Sequence, residues 1–478
     1  MHNDTFLWHD YETFGANPRS DRPCQFAALR TNDKLEPIES PTILYCQPSI
    51  DTLPHPGACL VTGITPQVAQ AKGETEPRFA QQIFDMMSRP GTCVVGYNNF
   101  RFDDEVTRHL FWRNFLDPYA REYANGNSRF DLINVLRLTR ALRPEGILWA
   151  DYDDGQPSFR LEDLAKANGL DIDCAHDALV DVENTLALAQ MVVKQQPKLW
   201  SWALKLRNKA HVDALLARGE PVLMASSFFA KRPGSISAVL PFARHPKINN
   251  QWLAWDLAQD PAVALKGSIE DWKAQLAQTQ QPGSTTSERL PVVAIKINQC
   301  PMLAPLSVAD GDTQARLALD LDQIAHHQTT FEQNPDWVRQ LSQLFADRPP
   351  FAEAEMDPET NLYGGFVPRQ DQNLVRQVPT MDAKTLADLD EAFSDARLNT
   401  LLFRYRARHH PESLSHEETE RWVADRKQRL ITGIPGGGLT LDEFYAEVDR
   451  LASEHPKEQA LIDALRTWPD EIRAQALA

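Results

Sequence analysis

Apolar and polar positions follow three successive patterns along the chain. Over about the first 190 residues, strand-like and helix-like runs alternate. FLWHDYETF is dense in aromatic and apolar residues and reads as a strand, as do FAALRT and TILYCQ. PRFAQQIFDMMSR has helical spacing, TCVVGYN is a short continuous apolar strand, and DEVTRHLFWRNF and DLINVLRLTRAL are amphipathic helices. RLEDLAKANG is a further helix, closed by Gly169, and AHDALVDVENTLALAQMVVKQ is a long one ending before Pro197. Strands interleaved with helices predict an α/β domain over residues 1–190.

The pattern then changes. PVLMASSFF, SISAVLPF, QWLAWDL and LPVVAIKIN are short β-like runs separated by Pro- and Gly-bearing turns, which predicts a small β-barrel or sheet domain over 197–350. TQQPGSTTSERLP within it reads as a polar surface loop. MDAKTLADLDEAF, HEETERWVADRKQRL, TLDEFYAEVDRLASE and EQALIDALRTWPDEIRAQAL make residues 353–478 a predicted α-helical domain. No repeat at a solenoid period is present. GIPGGG lacks the following Lys-Ser/Thr of a P-loop and reads as a connector.

Composition removes several classes. The chain has 478 residues, enough for two to four domains at about 100–200 residues each. Hydrophobic residues at 42% are ordinary for a globular protein and argue against disorder. No run approaches the ~18 apolar residues of a membrane helix, and MHNDTFLWHDYET lacks the pattern of a signal peptide. The six cysteines are scattered without CxxC pairs and read as reduced cytoplasmic thiols. The net charge of −17 argues mildly against a phosphate-binding partner. The arginines, however, cluster: eight lie between Arg101 and Arg143, and Arg404, Arg406 and Arg408 fall together in LLFRYRARHHP. A local positive field at these clusters is the expectation.

Candidate chemistry begins with Asp10 and Glu12, two apart on a predicted strand and so on one face. Amid Phe6, Trp8, Tyr11 and Phe14 they would repel and be costly to desolvate without a cation between them, and hard divalent ions prefer carboxylate oxygen. An isolated DxE pair is more often an exposed edge strand. Asp103 stands where an apolar strand gives way to a helix; helix capping, shared with Asp104, is its plain alternative. His176 and Asp181 lie at the start and inside of the last helix of the α/β region. Asp181 has apolar neighbours and would need a partner if buried. Asp177, four residues earlier on the same helical face, competes with it.

The order DxE, then Asp, then His-x4-Asp resembles the DEDDh branch of the DnaQ-like exonuclease superfamily. HDYETFG, GYNNFRFDDEVTRHLFWRNF-DPYA, ALRPEG, PSFRLEDLAKANG and AHDALVDV are closely similar to bacterial exonuclease I, the single-strand-specific exodeoxyribonuclease family. The likeness continues through RNK, HPKINN, INQCP and LLFRYRARHHP, so it spans the chain. It implies an RNase H-like exonuclease domain, an SH3-like barrel domain and a helical C-terminal domain.

The resemblance also implies chemistry: two-metal hydrolysis from the 3′ end of single-stranded DNA to 5′-mononucleotides, in DNA repair and recombination. Asp10, Glu12 and Asp181 would be direct ligands of two Mg²⁺ (or Mn²⁺) ions, with Asp103 completing the set directly or through water. His176 would be the general base. Arg160 would contact phosphate, where its plain alternative is a surface helix arginine. Glu12, Arg108, Tyr119, Tyr123, Arg137, Trp202, Lys209 and Asn250 would contact the strand, cations on its backbone and rings on its bases. The acidic tail of single-stranded-DNA-binding protein is the implied partner. Arg143 is at a plausible docking position, although Glu220 stands where a base is expected. A monomer is the default.

Two other readings compete. One is a ribonuclease of the same superfamily, disfavoured by the extra ~280 residues relative to single-domain relatives. The other is a catalytically dead binding protein, disfavoured because all five site residues are present. If the second and third regions form a clamp, deleting residues 353–478 should spare cleavage of short oligomers and shorten each run.

Overall fold

Thr5–Thr13 (β1) combines bulky apolar side chains with two acids, and it forms the hub of the first sheet in the computed structural model. That structure describes residues 5–170, 177–278, 290–346, 356–434 and 437–477. His176, most of the loop TQQPGSTTSERLP, and Pro435 and Gly436 of GIPGGG therefore lie outside the described residues. The chain divides into two compact units: Met1–Ser128 with Asp171–Leu186 and Glu353–Ala478, and Arg129–Leu170 with Ala187–Ala352.

In the first unit, β1 pairs antiparallel with Pro23–Thr31 (β2), and β2 pairs antiparallel with Thr42–Tyr45 (β3). On its other side β1 runs parallel to Thr92–Gly96 (β4). A parallel neighbour requires a crossover. The helices Pro56–Thr62, Pro66–Lys72 and Glu76–Met87 lie between β3 and β4 in the chain and provide it. Ser128–Asp131 (β5), which begins in this unit, completes the order β3-β2-β1-β4-β5. Phe79, Ile83 and Met87 of one helix and Val106, Leu110 and Phe111 of the helix Asp103–Arg113 pack with Leu7, Tyr11, Phe26 and Val94 of the sheet.

The helical stretch from residue 356 onward does not close a core of its own. Phe444, Val448, Ile462, Leu465 and Trp468 share one cluster with Phe14, Cys24, Leu53 and Cys59. Leu398, Leu401, Leu402 and Tyr405 share another with Trp112 and Phe115. LLFRYRARHHP lies largely in the helix Ala396–His409, whereas MDAKTLADLDEAF is helical only over Ala383–Ala387.

The local positive field expected of the arginine clusters is largely neutralised inside the protein. Arg108, Arg113, Arg121, Arg129, Arg404 and Arg406 are buried. Most enter ion pairs inside the first unit. Arg408 pairs with Asp51 at 2.6 Å and Glu359 at 2.6 Å; Arg429 pairs with Asp357 at 2.8 Å; Arg404 pairs with Asp357 at 2.8 Å. Arg22 reaches Glu359 at 2.6 Å and Glu76 at 3.4 Å, and Arg113 reaches Glu76 at 3.2 Å. The physical reason is that a buried guanidinium must be neutralised, and close carboxylates consume its donors and its field.

The second unit holds an antiparallel sheet of Val222–Ala225 (β6), Ile236–Arg244 (β7), Gln251–Asp256 (β8), Val292–Lys296 (β9) and Met302–Pro305 (β10), in the order β10-β6-β7-β8-β9. A bulge between Pro241 and Ala243 bends β7, the strand position that proline's missing N–H allows. Trp255 packs against Phe331 and Trp337 of two following helices, and Arg232 clamps Asp256 through both oxygens at 2.7 and 2.5 Å. The described cysteines Cys24, Cys46, Cys59, Cys93 and Cys300 are buried. No described helix is long and apolar enough to cross a membrane.

Two outcomes follow for stability. Burial alone would raise the pKa of Asp51, but Arg408 and Arg429 hold it well below the usual carboxylate range; Glu359 is held down by Arg22, Arg408, Arg404 and Arg429 against its own burial. A depressed carboxylate stabilises the fold above its unfolded pKa near 4, and that contribution disappears as pH falls through the folded value. Asp51→Ala should cost about 3–5 kcal/mol at pH 7 in a urea melt, and the deficit should shrink below about pH 4. Deleting 353–478 should yield protein without a cooperative unfolding transition, because Arg22 and Asp51 lose partners and the Phe14 cluster is opened. A soluble truncated enzyme that still trims short oligomers would restore the separable-clamp expectation.

Candidate metal centre and active site

Period-2 geometry in β1 sends Asp10 and Glu12 to one face and His9 and Tyr11 to the other. Across the ladder Asp10 faces Ala27 and Glu12 faces Gln25. Ala27 leaves room beside Asp10. The register shifts between Glu12 and Thr13, a bulge that ends regular pairing directly after the acids. Gln25 donates to the Tyr45 hydroxyl at 2.9 Å and accepts from the Ala178 N–H at 3.4 Å. That second bond ties β2 to the start of the helix Ala178–Gln195, which carries Asp181.

One carboxylate oxygen each of Asp10, Glu12 and Asp181 lie within 4.8 Å of one another. Glu12 is buried, and Asp10 and Asp181 are half-buried. Asp103 is buried at the first position of its helix, where the helix dipole favours an acid. Its charge acts on the cluster. Burial and then Asp103, Glu12 and Asp181 push the Asp10 carboxyl well above its ordinary range. Burial, Asp181, Asp103 and Asp177 push Glu12 up to about 8. Carboxylates concentrated in this way repel one another, and a hard oxygen donor set of this kind fits Mg²⁺ or Mn²⁺. Asp177 stands apart from the ligand group: its Oδ1 accepts the Leu179 N–H at 3.0 Å and caps the helix.

The remaining candidates are placed as follows. In the first unit, Arg108 donates to both oxygens of Glu122 at 2.8 and 3.0 Å and to Glu105 at 2.6 Å, and it lies 5.5 Å from the centre of the Tyr119 ring. Tyr119 and Tyr123 line a hollow of about 530 Å³ with Tyr363 and Phe366. Tyr123 is 70% exposed and Phe366 98% exposed. Tyr363 and Phe366 were missed in the sequence. The signal for them is NLYGGFVP, where two glycines and a proline rule out a packed element around bulky rings.

In the second unit, the Arg160 side chain is 59% exposed and donates to Glu162 at 2.5 Å. Arg137 lies 5.4 Å from the centre of the Phe159 ring, and Lys209 donates to Asn250. Trp202 donates to the Leu303 carbonyl at 2.7 Å and lines a largely apolar pocket of about 490 Å³ with Arg143, Leu138, Leu142 and Val308.

A mixed α/β sheet presenting a buried carboxylate cluster defines the class, an exonuclease domain, and residues 7–189 match the family model described as Exonuclease. Residues 207–347 match the Exonuclease I SH3-like domain and residues 356–472 the Exonuclease I C-terminal domain. The chain belongs to the exonuclease I family. It is 40% identical to exodeoxyribonuclease I of Escherichia coli K12, with 98% of each chain covered. It is similar to the crystal structure of E. coli exonuclease I in complex with a dA16 oligonucleotide, with TM-score 0.90, 40% identity, and 98% and 100% of the two chains covered. A structure of SSB/exonuclease I in complex with the inhibitor CFAM gives TM-score 0.88 at 38% identity, with 98% and 100% covered.

The raised carboxyl pKa values make a signed prediction. A group protonated more readily in the folded state stabilises it at low pH and loses that contribution as pH rises through the folded pKa. In chelator, melting temperature should fall as pH rises from about 4 toward about 8, the interval between the unfolded and folded values of Glu12. Asp10→Asn should flatten this slope and raise the melting temperature at pH 8. Added Mg²⁺ should stabilise the native chain most at high pH and the variant least. A pH-independent melting temperature for the metal-free native chain would contradict the repulsive cluster.

Proposed function

We propose that this chain hydrolyses single-stranded DNA from its 3′ end to 5′-mononucleotides, using Mg²⁺ held by Asp10, Glu12, Asp181 and Asp103, and serves DNA repair and recombination. The observation that carries the reading is the convergence of three carboxylates within 4.8 Å, in a chain alike over 98% of its length to exodeoxyribonuclease I. Bound there, two divalent ions supply Lewis acidity for the attacking water and for the leaving 3′-oxygen. Asp10 and Glu12 hold their oxygens on one rigid strand face, and Asp181 meets them from a helix pinned through Gln25. His176, with a near-neutral ordinary pKa, takes the proton of the attacking water. Oligonucleotide bound to the E. coli relative supports DNA as substrate over RNA.

Strand binding is assigned by unit. Tyr119, Tyr123, Tyr363 and Phe366 give the first unit rings for base stacking, worth about 1–3 kcal/mol per base. Arg108 holds the Tyr119 ring through its cation–π contact. In the second unit Arg160 offers an exposed guanidinium to phosphate, and Arg137, Lys209 and Asn250 supply further polar contacts. The enzyme acts as a monomer.

The partner is the acidic tail of a single-stranded-DNA-binding protein, seated in the pocket that Arg143 and Trp202 line. An apolar hollow with one guanidinium at its wall suits a peptide ending in apolar side chains and carboxylates.

End-labelled single-stranded DNA, duplex and RNA, each with Mg²⁺ or chelator, test the activity. Mononucleotide release from 3′ ends of single-stranded DNA alone, abolished by chelator, is expected. Asp181→Ala should abolish cleavage and spare strand binding, whereas Asp177→Ala should change the rate little. Cleavage that survives chelation, or prefers RNA, overturns the reading. Arg143→Ala should weaken capture of an acidic-tail peptide by about tenfold or more and leave cleavage of naked oligonucleotide unchanged.

A further inference from the structure

Beneath the carboxylate cluster, on the opposite side of β1, lies a buried ion pair that the reaction does not use. Arg121 and Asp104 both have fully buried side chains, and Arg121 Nη2 donates to Asp104 Oδ1 at 2.7 Å. Arg121 Nε and Nη1 have no acceptor among the described residues. An arginine buried with donors unbonded costs stability, so the pair is poorly explained as a device for stability. Its position supplies another explanation. Asp104 directly follows Asp103 at the start of the helix Asp103–Arg113. Successive helical residues point about 100° apart, so one carboxylate faces the cluster while the next faces Arg121. The charge of Asp104 is felt by His9 and Tyr11, the two side chains on the underside of β1.

The same helical turn has a second attachment. The Thr107 hydroxyl donates to the Asp103 carbonyl at 2.8 Å and lies in hydrogen-bond contact with the Tyr11 hydroxyl at 3.1 Å. The Asp104 N–H bonds the Asn99 carbonyl at 2.9 Å, and His9 Nδ1 lies 2.8 Å from the Val95 carbonyl, linking β1 to β4. Repulsion by Asp10 and Glu12 pushes the Asp103 carboxylate away from the site, so the turn that carries it has to be held in place. The Thr107 contact alone is a neutral hydrogen bond. The Arg121–Asp104 pair is the charged anchor among these contacts.

We propose that Arg121 is a positioning residue for the metal site: through Asp104 it fixes the first helical turn so that Asp103 faces Asp10 and Glu12. The inference rests on the reading of these acids as metal ligands. Residues that orient ligands in this way typically change metal affinity by about 10–100-fold when altered.

The test uses the full chain with Mn²⁺ alone as probe, bound in a calorimeter without DNA, beside steady-state cleavage of an oligonucleotide. Arg121→Gln and the isosteric Asp104→Asn should weaken Mn²⁺ binding by about 10-fold or more. They should lower kcat at limiting metal, recover it at high metal, and leave the oligonucleotide KM unchanged. Arg121→Lys should fall between Arg121→Gln and the native chain. Arg406→Gln is the control: Arg406 is buried against Glu418 at 2.7 Å and Ser413 in the same unit, so it should lower the melting temperature without changing Mn²⁺ affinity. If Arg121→Gln does not fold, Asp104→Asn decides. Native Mn²⁺ affinity in either folded variant overturns the proposal, as does an equal loss in Arg406→Gln. A native chain that binds no Mn²⁺ instead overturns the metal-site reading on which the proposal stands.

Discussion

Mutual repulsion among Asp10, Glu12, Asp103 and Asp181 is the constraint around which the first unit is organised. Burial raises the carboxyl pKa of Asp10 and Glu12, and their neighbours raise it further. Such a group stays together only if each acid sits on an element that cannot yield. Asp10 and Glu12 lie on a strand paired on both sides. Asp181 lies on a helix whose first turn is bonded to β2, and Asp103 on a helix anchored beneath β1. A divalent ion relieves the repulsion that the scaffold otherwise bears, and this couples metal affinity to the rigidity of neighbouring elements.

A second electrostatic fact shapes the same unit. Arg22, Arg404, Arg408 and Arg429 meet Asp51, Asp357 and Glu359 in its interior. Two of these pairs, Arg22 with Glu359 and Arg408 with Asp51, join segments more than 300 residues apart in sequence. The C-terminal helices are therefore part of the exonuclease unit's interior. Many arginines of an acidic chain are spent on internal neutrality. Tyr123 and Phe366 in this unit stay exposed to solvent.

Much of the site was legible because its signals are local. Period-2 spacing placed Asp10 and Glu12 on one face, and a strand-to-helix junction singled out Asp103. Asp181 and Asp177 could not be separated by periodicity, since they are four residues apart on one helix; the capping bond from Asp177 Oδ1 to the Leu179 N–H separates them. The local positive field expected at Arg404, Arg406 and Arg408 is neutralised by acids distant in sequence; a run of bases looks the same whether solvated or paired. LLFRYRARH hid its helix for a related reason: apolar contacts cover several of its faces, so it lacks a clean polar stripe.

The sequence by itself determined the first strands and the main helices of the first region, the acids of the first strand, and membership of a family recognised by contiguous motifs. These properties follow from neighbours within a few residues, where backbone period and side-chain type act directly. Only the tertiary structure decided which acid joins the cluster, which arginines are neutralised, and that residues 356–477 share a core with residues near the N-terminus. Those outcomes depend on contacts between distant segments, and the energy of a charge is set by the partner it meets in space.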